Sequence, residues 1–232
     1  MNAVFSLKDD LMPDAIDDWV FDLDNTIYPA ASNLFARVAQ KMTDYLADHF
    51  TISQDEAATL KTRLFREYGT TMHGLMREFN MAPDGFLAYV HDIDLSDVSH
   101  DVALDTLLAE LPGRKHIFTN GTVAHADNIL SAFGLRHHFD VIFDIIQAEH
   151  EPKPAMRPYE LFVAQSGINP ARSVMIEDMA VNLEPAAQLG MQTIWLEHDH
   201  EWAKQGSDQP YIHYRSTDLK TCLTDILSGT TK

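Results

Sequence analysis

Two aspartates, Asp22 and Asp24, stand one residue apart where a short apolar run ends. The run, residues 19–21, has the aromatic and β-branched content of a buried strand, and residues 25–29 are typical of a loop that leaves it. Because side chains alternate along an extended chain, both carboxylates are expected on one side of the backbone. They would lie beyond the carboxyl end of the strand, where α/β sheets bind ligands. A solvated acidic turn also fits this stretch.

The chain is strongly acidic, with 35 acidic and 17 basic residues and a formal net charge of −18 at pH 7. A field of this sign repels the phosphate backbone of nucleic acids, so we do not expect a polymeric nucleic acid as a partner. A small phosphate ester remains possible, because a bound divalent cation and one lysine can reverse the potential inside a pocket. With 232 residues, 45% of them hydrophobic, the chain has ample material for a folded core.

Cys222 is the single cysteine, so no disulfide can form within the chain, as is usual in a reducing compartment. The first 18 residues do not have the basic and then apolar pattern of a secretion signal. No apolar stretch reaches the length that a bilayer requires. We therefore expect a cytoplasmic protein without a membrane partner.

Residues 30–111 are predicted to be helical throughout. Apolar residues recur at helical spacing from Leu34 to Leu46, and Ser53 followed by Glu56 predicts a capping box that opens a second helix. Further helices are predicted at residues 71–79, 84–91 and 101–111.

From residue 114 onward, predicted strands alternate with predicted helices. The strands are expected at residues 115–120, 141–143, 173–176 and 193–196. Such alternation predicts an α/β fold with a parallel sheet covered by helices on both faces. The helical unit, residues 30–111, then forms a cap that interrupts a core domain made of residues 1–29 and 112–232.

Three of the predicted strands end in pairs of polar residues: Asp22 and Asp24, Thr119 and Asn120, and Glu177 and Asp178. Carboxylates gathered at one sheet edge repel one another and have raised pKa values unless a cation joins them. Oxygen ligands of this kind suit Mg²⁺. Lys153, between two prolines, would add a positive charge and Thr119 a hydroxyl. These groups suit phosphoryl transfer, with a carboxylate nucleophile, an acid–base group, a metal ion and a cationic clamp.

The chain resembles the haloacid dehalogenase superfamily in four motifs, which occur in that superfamily's order: Asp22-Leu23-Asp24-Asn25-Thr26, Thr119-Asn120-Gly121, Lys153-Pro154 and Glu177-Asp178. The first motif alone is only moderately specific, whereas four motifs in order are a strong signal. The resemblance covers nearly the whole chain, since a helical cap after the first motif is the superfamily's first cap type. It implies a Rossmann-like core with that cap, and a phosphatase activity.

By this resemblance Asp22 is the nucleophile that becomes an aspartyl-phosphate, and Asp24 protonates the leaving alcohol and then activates water. Thr119 would hydrogen-bond a phosphoryl oxygen, and Lys153 would neutralise the developing charge. The implied cofactor is Mg²⁺, with ligands from Asp22, the carbonyl of Asp24, Asp178 and, directly or through water, Glu177. Asn182 stands where many relatives carry an acid, which leaves its role open.

Within the superfamily the chain looks most like the pyrimidine 5′-nucleotidases. The residues that carry this likeness are residues 24–29, 68–71, 74–75, 89–91 with Asp94, and 120–121. The likeness implies a pyrimidine nucleoside 5′-monophosphate as the substrate, bound in the core by Thr119, Asn120 and Lys153. Loop and cap offer further candidates for substrate contact, although packing or a surface position is the better explanation of each one: Tyr28, Tyr68, His73, Arg77 and His91.

Other functions stay open. The same groups suit a phosphatase of other small sugar phosphates such as phosphoglycolate, or a phosphomutase. A binding protein that had lost catalysis is also conceivable, but it would be expected to lack at least one of Asp22, Asp24, Lys153 and Asp178, and all four are present.

One histidine pair, His137 and His138, lies outside all four motifs. Imidazole nitrogens bind zinc, but neighbouring histidines without further ligands are usually just solvated. The sequence alone therefore does not predict a zinc site at this pair.

Overall fold

The computed structural model describes residues 11–198 and 200–229, so residues 1–10 of the predicted core domain and residues 230–232 lie outside the described part. Its core is a parallel sheet of six strands in the order β3-β2-β1-β4-β5-β6. The strands are β1 (Asp18–Phe21), β2 (Arg114–Phe118), β3 (Val141–Phe143), β4 (Ser173–Glu177), β5 (Gln192–Leu196) and β6 (Tyr214–Ser216). The predicted α/β fold with a parallel sheet is confirmed.

The α-helices of the described residues are α1 (Leu34–Phe50), α2 (Gln54–Tyr68), α3 (Thr71–Phe79), α4 (Pro83–His91), α5 (Val102–Glu110), α6 (Val123–Ala132), α7 (Met156–Ser166), α8 (Leu183–Gln188) and α9 (Leu219–Ser228). No helix among them combines the length and the apolar character needed to cross a membrane. The strand β6 was not predicted, because three residues of mixed polarity at a sheet edge carry no periodic signal.

The central strand β1 is covered on both faces. Trp19 and Phe21 belong to one core cluster and Val20 belongs to the other, as the alternation of side chains along a strand requires. All three side chains are fully buried. A run without polar residues is therefore what this position in a parallel sheet demands.

The strands β1, β2 and β4 end within one residue of one another. Phe21 is the register partner of both Ile117 in β2 and Ile176 in β4. The pairing continues one step further, where the Asp22 backbone N–H donates to the Ile176 carbonyl at 3.0 Å. The residues that follow these strands are thus brought to one edge of the sheet.

The helices α1 to α4 pack on one another and form the cap: α1 contacts α2 and α4, and α3 contacts α2 and α4. The predicted capping box is present, with the Ser53 N–H donating to Glu56 Oε2 at 2.9 Å and the Glu56 N–H donating to Ser53 Oγ at 3.3 Å. Thr70 caps α3 by accepting from the His73 N–H at 3.1 Å. Apolar residues of the cap belong to the same core cluster as Val20 of β1.

The helix α5 packs with the sheet domain. Leu104 and Leu108 are buried in the same cluster as Trp19, and α5 contacts α9 at the end of the described chain. The predicted cap, residues 30–111, includes this helix. Its packing favours ending the cap before Val102, and the division between the domains stays a prediction.

We expect Leu108→Ala to lower the free energy of unfolding by about 2–5 kcal/mol, because it deletes a fully buried side chain between α5 and the sheet. The matched control is Val102→Ala on the same helix, whose side chain is 63% exposed and should change stability by less than about 0.5 kcal/mol. Urea denaturation followed by circular dichroism measures both. Equal losses in the two variants would contradict the packing described for α5.

Candidate active site

The carboxyl ends of the three central strands place four predicted site residues together. Asp22 follows β1 and Thr119 follows β2, while Glu177 ends β4 and Asp178 follows it. The Thr119 N–H donates to the Phe143 carbonyl at 3.0 Å, which fixes the strand end beside β3. All four side chains are buried.

Lys153 reaches this edge from the loop between β3 and α7. Its Nζ lies 2.8 Å from Asp22 Oδ1 and 2.9 Å from Glu177 Oε1, and it donates to the Phe118 carbonyl at 2.9 Å. Burial alone would lower the pKa of Lys153, but the negative charges of Asp22 and Glu177 raise that pKa above its ordinary value. The side chain is therefore a permanent cation beside Asp22.

The predicted residues Thr119 and Asn120 act on the backbone around this lysine. Thr119 Oγ1 accepts from the Gly121 N–H at 2.9 Å, which shapes the turn after β2. Asn120 Oδ1 accepts from the Lys153 N–H at 2.9 Å. Asn120 thus ties the lysine loop to the strand β2.

Both carboxylate oxygens of Glu177 accept hydrogen bonds from neighbouring residues. Its Oε1 accepts from Lys153 and from Asn182 Nδ2 at 2.6 Å, and its Oε2 accepts from the Met179 N–H at 2.6 Å. Tyr159 Oη in turn donates to the Asn182 carbonyl at 2.5 Å. Asn182 therefore orients the carboxylate that pairs with Lys153. This geometry favours Glu177 as a partner of the lysine, and its direct ligation of a metal ion stays a prediction.

The acidic residues fit a hard cation. One oxygen from each of Asp22, Glu177 and Asp178 lies within 4.8 Å of the others. Asp178 Oδ2 is buried without a hydrogen-bond partner among the described residues. Burial raises the pKa of Asp22 to about 7, and burial with the charges of Glu177 and Asp22 raises the pKa of Asp178 well above its ordinary value. A divalent cation bound by oxygen ligands, as Mg²⁺ is, would remove both penalties.

Asp24 lies in a separate network with Tyr28 and His125. Both contacts fall on Asp24 Oδ1, to which Tyr28 Oη donates and from which His125 Nε2 lies 3.0 Å away. Burial alone would raise the pKa of Asp24, but His125 and the Tyr28 hydrogen bond bring it below its ordinary value. Burial beside Asp24 raises the pKa of Tyr28, which keeps its hydroxyl a donor. The predicted metal contact of the Asp24 carbonyl stays a prediction.

Sequence reasoning missed His125. The residue lies in the first turn of α6, where its N–H donates to Oγ1 of the N-cap residue Thr122 at 3.2 Å. One histidine in an amphipathic helix carries no motif. The N-cap residue Thr122 could be recognised from the sequence, and it predicts where α6 begins. It does not predict the contact of His125 with Asp24, which is 101 residues away in sequence.

The cap meets the site at two places. His91, at the end of α4, stacks on His125 with ring centroids 4.4 Å apart, and its Nδ1 lies 3.1 Å from Thr122 Oγ1. Burial lowers the pKa of His91 to about 3. At the other place, a Cβ added to Gly69 would lie 3.7 Å from the Lys153 carbonyl oxygen. The cap thus touches the surroundings of both Asp24 and Lys153.

The other residues predicted to contact substrate differ in their surroundings. Tyr28 is buried and its ring stacks on Phe133, and its hydroxyl donates to Asp24. In this structure Tyr28 therefore orients Asp24. His73 Nδ1 lies 3.2 Å from the Tyr68 carbonyl oxygen, which keeps these two cap residues together. Arg77 is exposed on α3. Their contacts with a substrate stay predictions.

Comparison with known proteins gives consistent matches. The family model for haloacid dehalogenase-like hydrolases matches residues 19–190. Phosphate metabolism protein 8 of Saccharomyces cerevisiae is 28% identical over 204 residues, which are 80% of this chain and 63% of that protein. The chain therefore spans less than two thirds of the length of this curated relative.

Two solved structures show the same fold. The HAD phosphatase from Thermococcus onnurineus has a TM-score of 0.62 at 18% identity, and the superposition covers 92% of this chain and 99% of that protein's chain. YfnB from Bacillus subtilis, a putative HAD-hydrolase bound to magnesium, has a TM-score of 0.54 at 17% identity. The superposition covers 91% of this chain and 98% of the YfnB chain.

We expect Mg²⁺ to raise the melting temperature of the chelator-treated protein, and more so at about pH 8 than at about pH 6. Burial raises the pKa of Asp22 in the folded chain from its ordinary value of 3.8 to about 7, so the stability that the carboxyl contributes is present at low pH and is lost as pH rises through 7. Mg²⁺ competes with that proton at low pH and relieves the buried charge at high pH. Differential scanning fluorimetry measures the shift. Asp178→Asn should reduce it, and an unchanged shift in that variant would count against this site.

Proposed function

The chain belongs to the haloacid dehalogenase-like hydrolases, and from that premise we propose that it is a Mg²⁺-dependent phosphatase of small phosphate monoesters. The observation that carries the proposal is the buried contact of 2.8 Å between Lys153 Nζ and Asp22 Oδ1. It keeps a carboxylate oxygen beside a fixed positive charge, which is what an attacking carboxylate and a transferred phosphoryl group both require.

In the first half-reaction, an oxygen of Asp22 attacks phosphorus while the bond from phosphorus to the alcohol oxygen breaks. The leaving oxygen takes a proton from Asp24, and Asp22 becomes an aspartyl-phosphate. Because the resting pKa of Asp24 lies below its ordinary value, Asp24 must first take up this proton as the ester binds. Lys153 balances the charge that the phosphoryl oxygens carry, and the Thr119 hydroxyl donates to one of them. Mg²⁺, held by Asp22, Asp178 and the Asp24 carbonyl, would supply further neutralisation of the phosphoryl group.

In the second half-reaction, a water molecule attacks the same phosphorus and the bond to Asp22 breaks. Asp24 accepts the proton of that water, so the carboxyl returns to its starting form once phosphate leaves. Its position must therefore serve two proton transfers in opposite directions. Tyr28 and His125 both hold Oδ1, and the Asp24 side chain is 20% exposed, which supports Asp24 as the group that faces substrate and water.

We propose a pyrimidine nucleoside 5′-monophosphate as the substrate, in a cytoplasmic setting. The support is the likeness at residues 68–71, 74–75 and 89–91 of the cap. Two of these residues lie against the site: Gly69 beside the Lys153 loop and His91 on His125. These two contacts support a role of the cap in binding the part of the substrate beyond the phosphate.

The proposal is tested by phosphate release from a panel of monoesters with Mg²⁺: uridine, cytidine, adenosine and guanosine 5′-monophosphates, phosphoglycolate and hexose phosphates. We expect the pyrimidine nucleotides to have the highest kcat/KM. Asp22→Asn should lower phosphate release at least about 1,000-fold, because the nucleophile is lost. Asp14→Asn, which changes an exposed aspartate before β1, is the matched control and should leave the rate unchanged.

Three results would contradict this proposal in part or as a whole. Faster phosphate release from phosphoglycolate or a hexose phosphate than from any nucleotide would refute the proposed nucleotide substrate. It would still agree with a phosphatase activity. Conversion of one sugar phosphate isomer into another with little free phosphate would identify a phosphomutase instead. No release from any ester would refute the phosphatase itself.

We expect His125→Ala to lower kcat about 10- to 100-fold with little change in KM, because Asp24 loses the group that orients it. His125→Gln keeps a donor near the Nε2 position and should recover part of the loss. Steady-state kinetics on the best monoester measures both. In an Asp24→Asn background, His125→Ala should add little further loss, and a full additional loss there would show that His125 acts independently of Asp24.

A further inference from the structure

A second group of metal-binding side chains lies outside the active site. Asp105 of α5 is surrounded by three histidines: His100, which precedes that helix, and His137 and His138, which lie in a 3₁₀ turn at Arg136–His138 after α6. His138 Nε2 lies 2.6 Å and His137 Nε2 lies 3.3 Å from Asp105 Oδ1. The fold thus supplies one further ligand for the histidine pair, Asp105, and a partner for that carboxylate, His100.

The spacing of these atoms fits one metal ion. A ligand atom from each of Asp105, His137 and His138 lies within 4.8 Å of the other two. Ligand atoms about 2.0–2.2 Å from a tetrahedral ion are separated from one another by about 3.3–3.6 Å. The 3.3 Å distance from His137 Nε2 to Asp105 Oδ1 matches that separation, and the 2.6 Å hydrogen bond from His138 would lengthen when an ion enters. The histidine rings, with centroids 4.0 Å apart and planes at 39°, both turn Nε2 toward that oxygen.

The second oxygen of Asp105 has its own partner. His100 Nε2 lies 2.9 Å from Asp105 Oδ2, so the carboxylate is held while Oδ1 remains with the other two histidines. Gly134, whose φ of +74° favours glycine, lies against His100, and a Cβ there would lie 2.5 Å from His100 Cδ2 and displace this ring. A hydrogen bond to the outer oxygen of a ligating carboxylate is a usual way to orient a metal ligand.

The chemistry of the donors selects the ion. Two imidazole nitrogens and one carboxylate oxygen suit Zn²⁺ and the neighbouring transition metals, whereas the acidic groups of the active site offer oxygen alone and suit Mg²⁺. The position is reachable from solvent, since the side chains of His137 and Asp105 are 64% and 26% exposed. Three protein ligands leave room for water to complete the coordination.

We propose that Asp105, His137 and His138 form a second metal site that binds Zn²⁺, with His100 orienting the carboxylate. The site connects α5 to the turn after α6, two segments that are 33 residues apart at Asp105 and His138. Binding stabilises the folded chain, because the unfolded chain does not hold these ligands together. The site is separate in sequence from every residue of the proposed phosphatase mechanism.

The test uses the full chain without an affinity tag, treated with a chelator and dialysed into Mg²⁺. Titration with Co²⁺, followed by its visible absorption and by competition with Zn²⁺, should give one high-affinity site. His137→Gln should weaken binding at least about 10-fold, and His100→Gln about 10- to 100-fold. His49→Gln, which changes an exposed histidine of the cap, is the matched control and should bind as the wild type does.

The variant His137→Gln changes an exposed side chain, so its fold is not at risk, and Mg²⁺-dependent phosphate release should stay at the wild-type rate in the absence of Zn²⁺. Zn²⁺ should raise the melting temperature of the wild type and of Asp22→Asn, but not of the double variant His137→Gln, His138→Gln. Unchanged Zn²⁺ affinity in that double variant would overturn the proposal. Loss of the Zn²⁺ signal in Asp22→Asn alone would assign the binding to the active site and overturn it too.

Discussion

The ammonium group of Lys153 is the centre on which the rest of this site depends. It is buried between Asp22 and Glu177, and a buried charge without partners would cost several kcal/mol. The surrounding elements therefore serve to hold the three charges together. Asn120 fixes the backbone of the lysine loop, and Asn182 fixes the carboxylate of Glu177. Removing either amide would loosen the lysine without touching the nucleophile.

The site has two halves that are stabilised differently. Around Asp22 the dominant interaction is electrostatic, between buried opposite charges and a set of carboxylates that need a cation. Around Asp24 it is a network of hydrogen bonds and stacked rings, from Tyr28 through His125 to His91. The cap contacts both halves, through Gly69 and through His91. Movement of the cap would therefore act on the phosphate end and on the acid–base end together.

Much of the fold could be predicted from the sequence because its signals are local. The apolar run before Asp22, the capping box at Ser53 and the alternation after residue 114 each act within a few residues, and each predicted element is present. The strand β6 and the packing of α5 on α9 were not predicted. Both depend on the elements that lie beside them in space. The sequence of an edge strand or of a half-buried helix has the same pattern in many folds, so it does not identify those neighbours.

By itself the sequence determined which residues meet at the sheet edge. A strand that ends in Asp22, followed by a loop to Asp24, and later strand ends at Thr119 and Glu177, must converge once the sheet is parallel. Only the tertiary structure decided the partners: His125 on Asp24, Asn182 on Glu177, and three histidines on Asp105. The reason is physical. Most of these contacts join residues far apart in the chain, and their geometry is set by packing between elements, for which no local pattern exists.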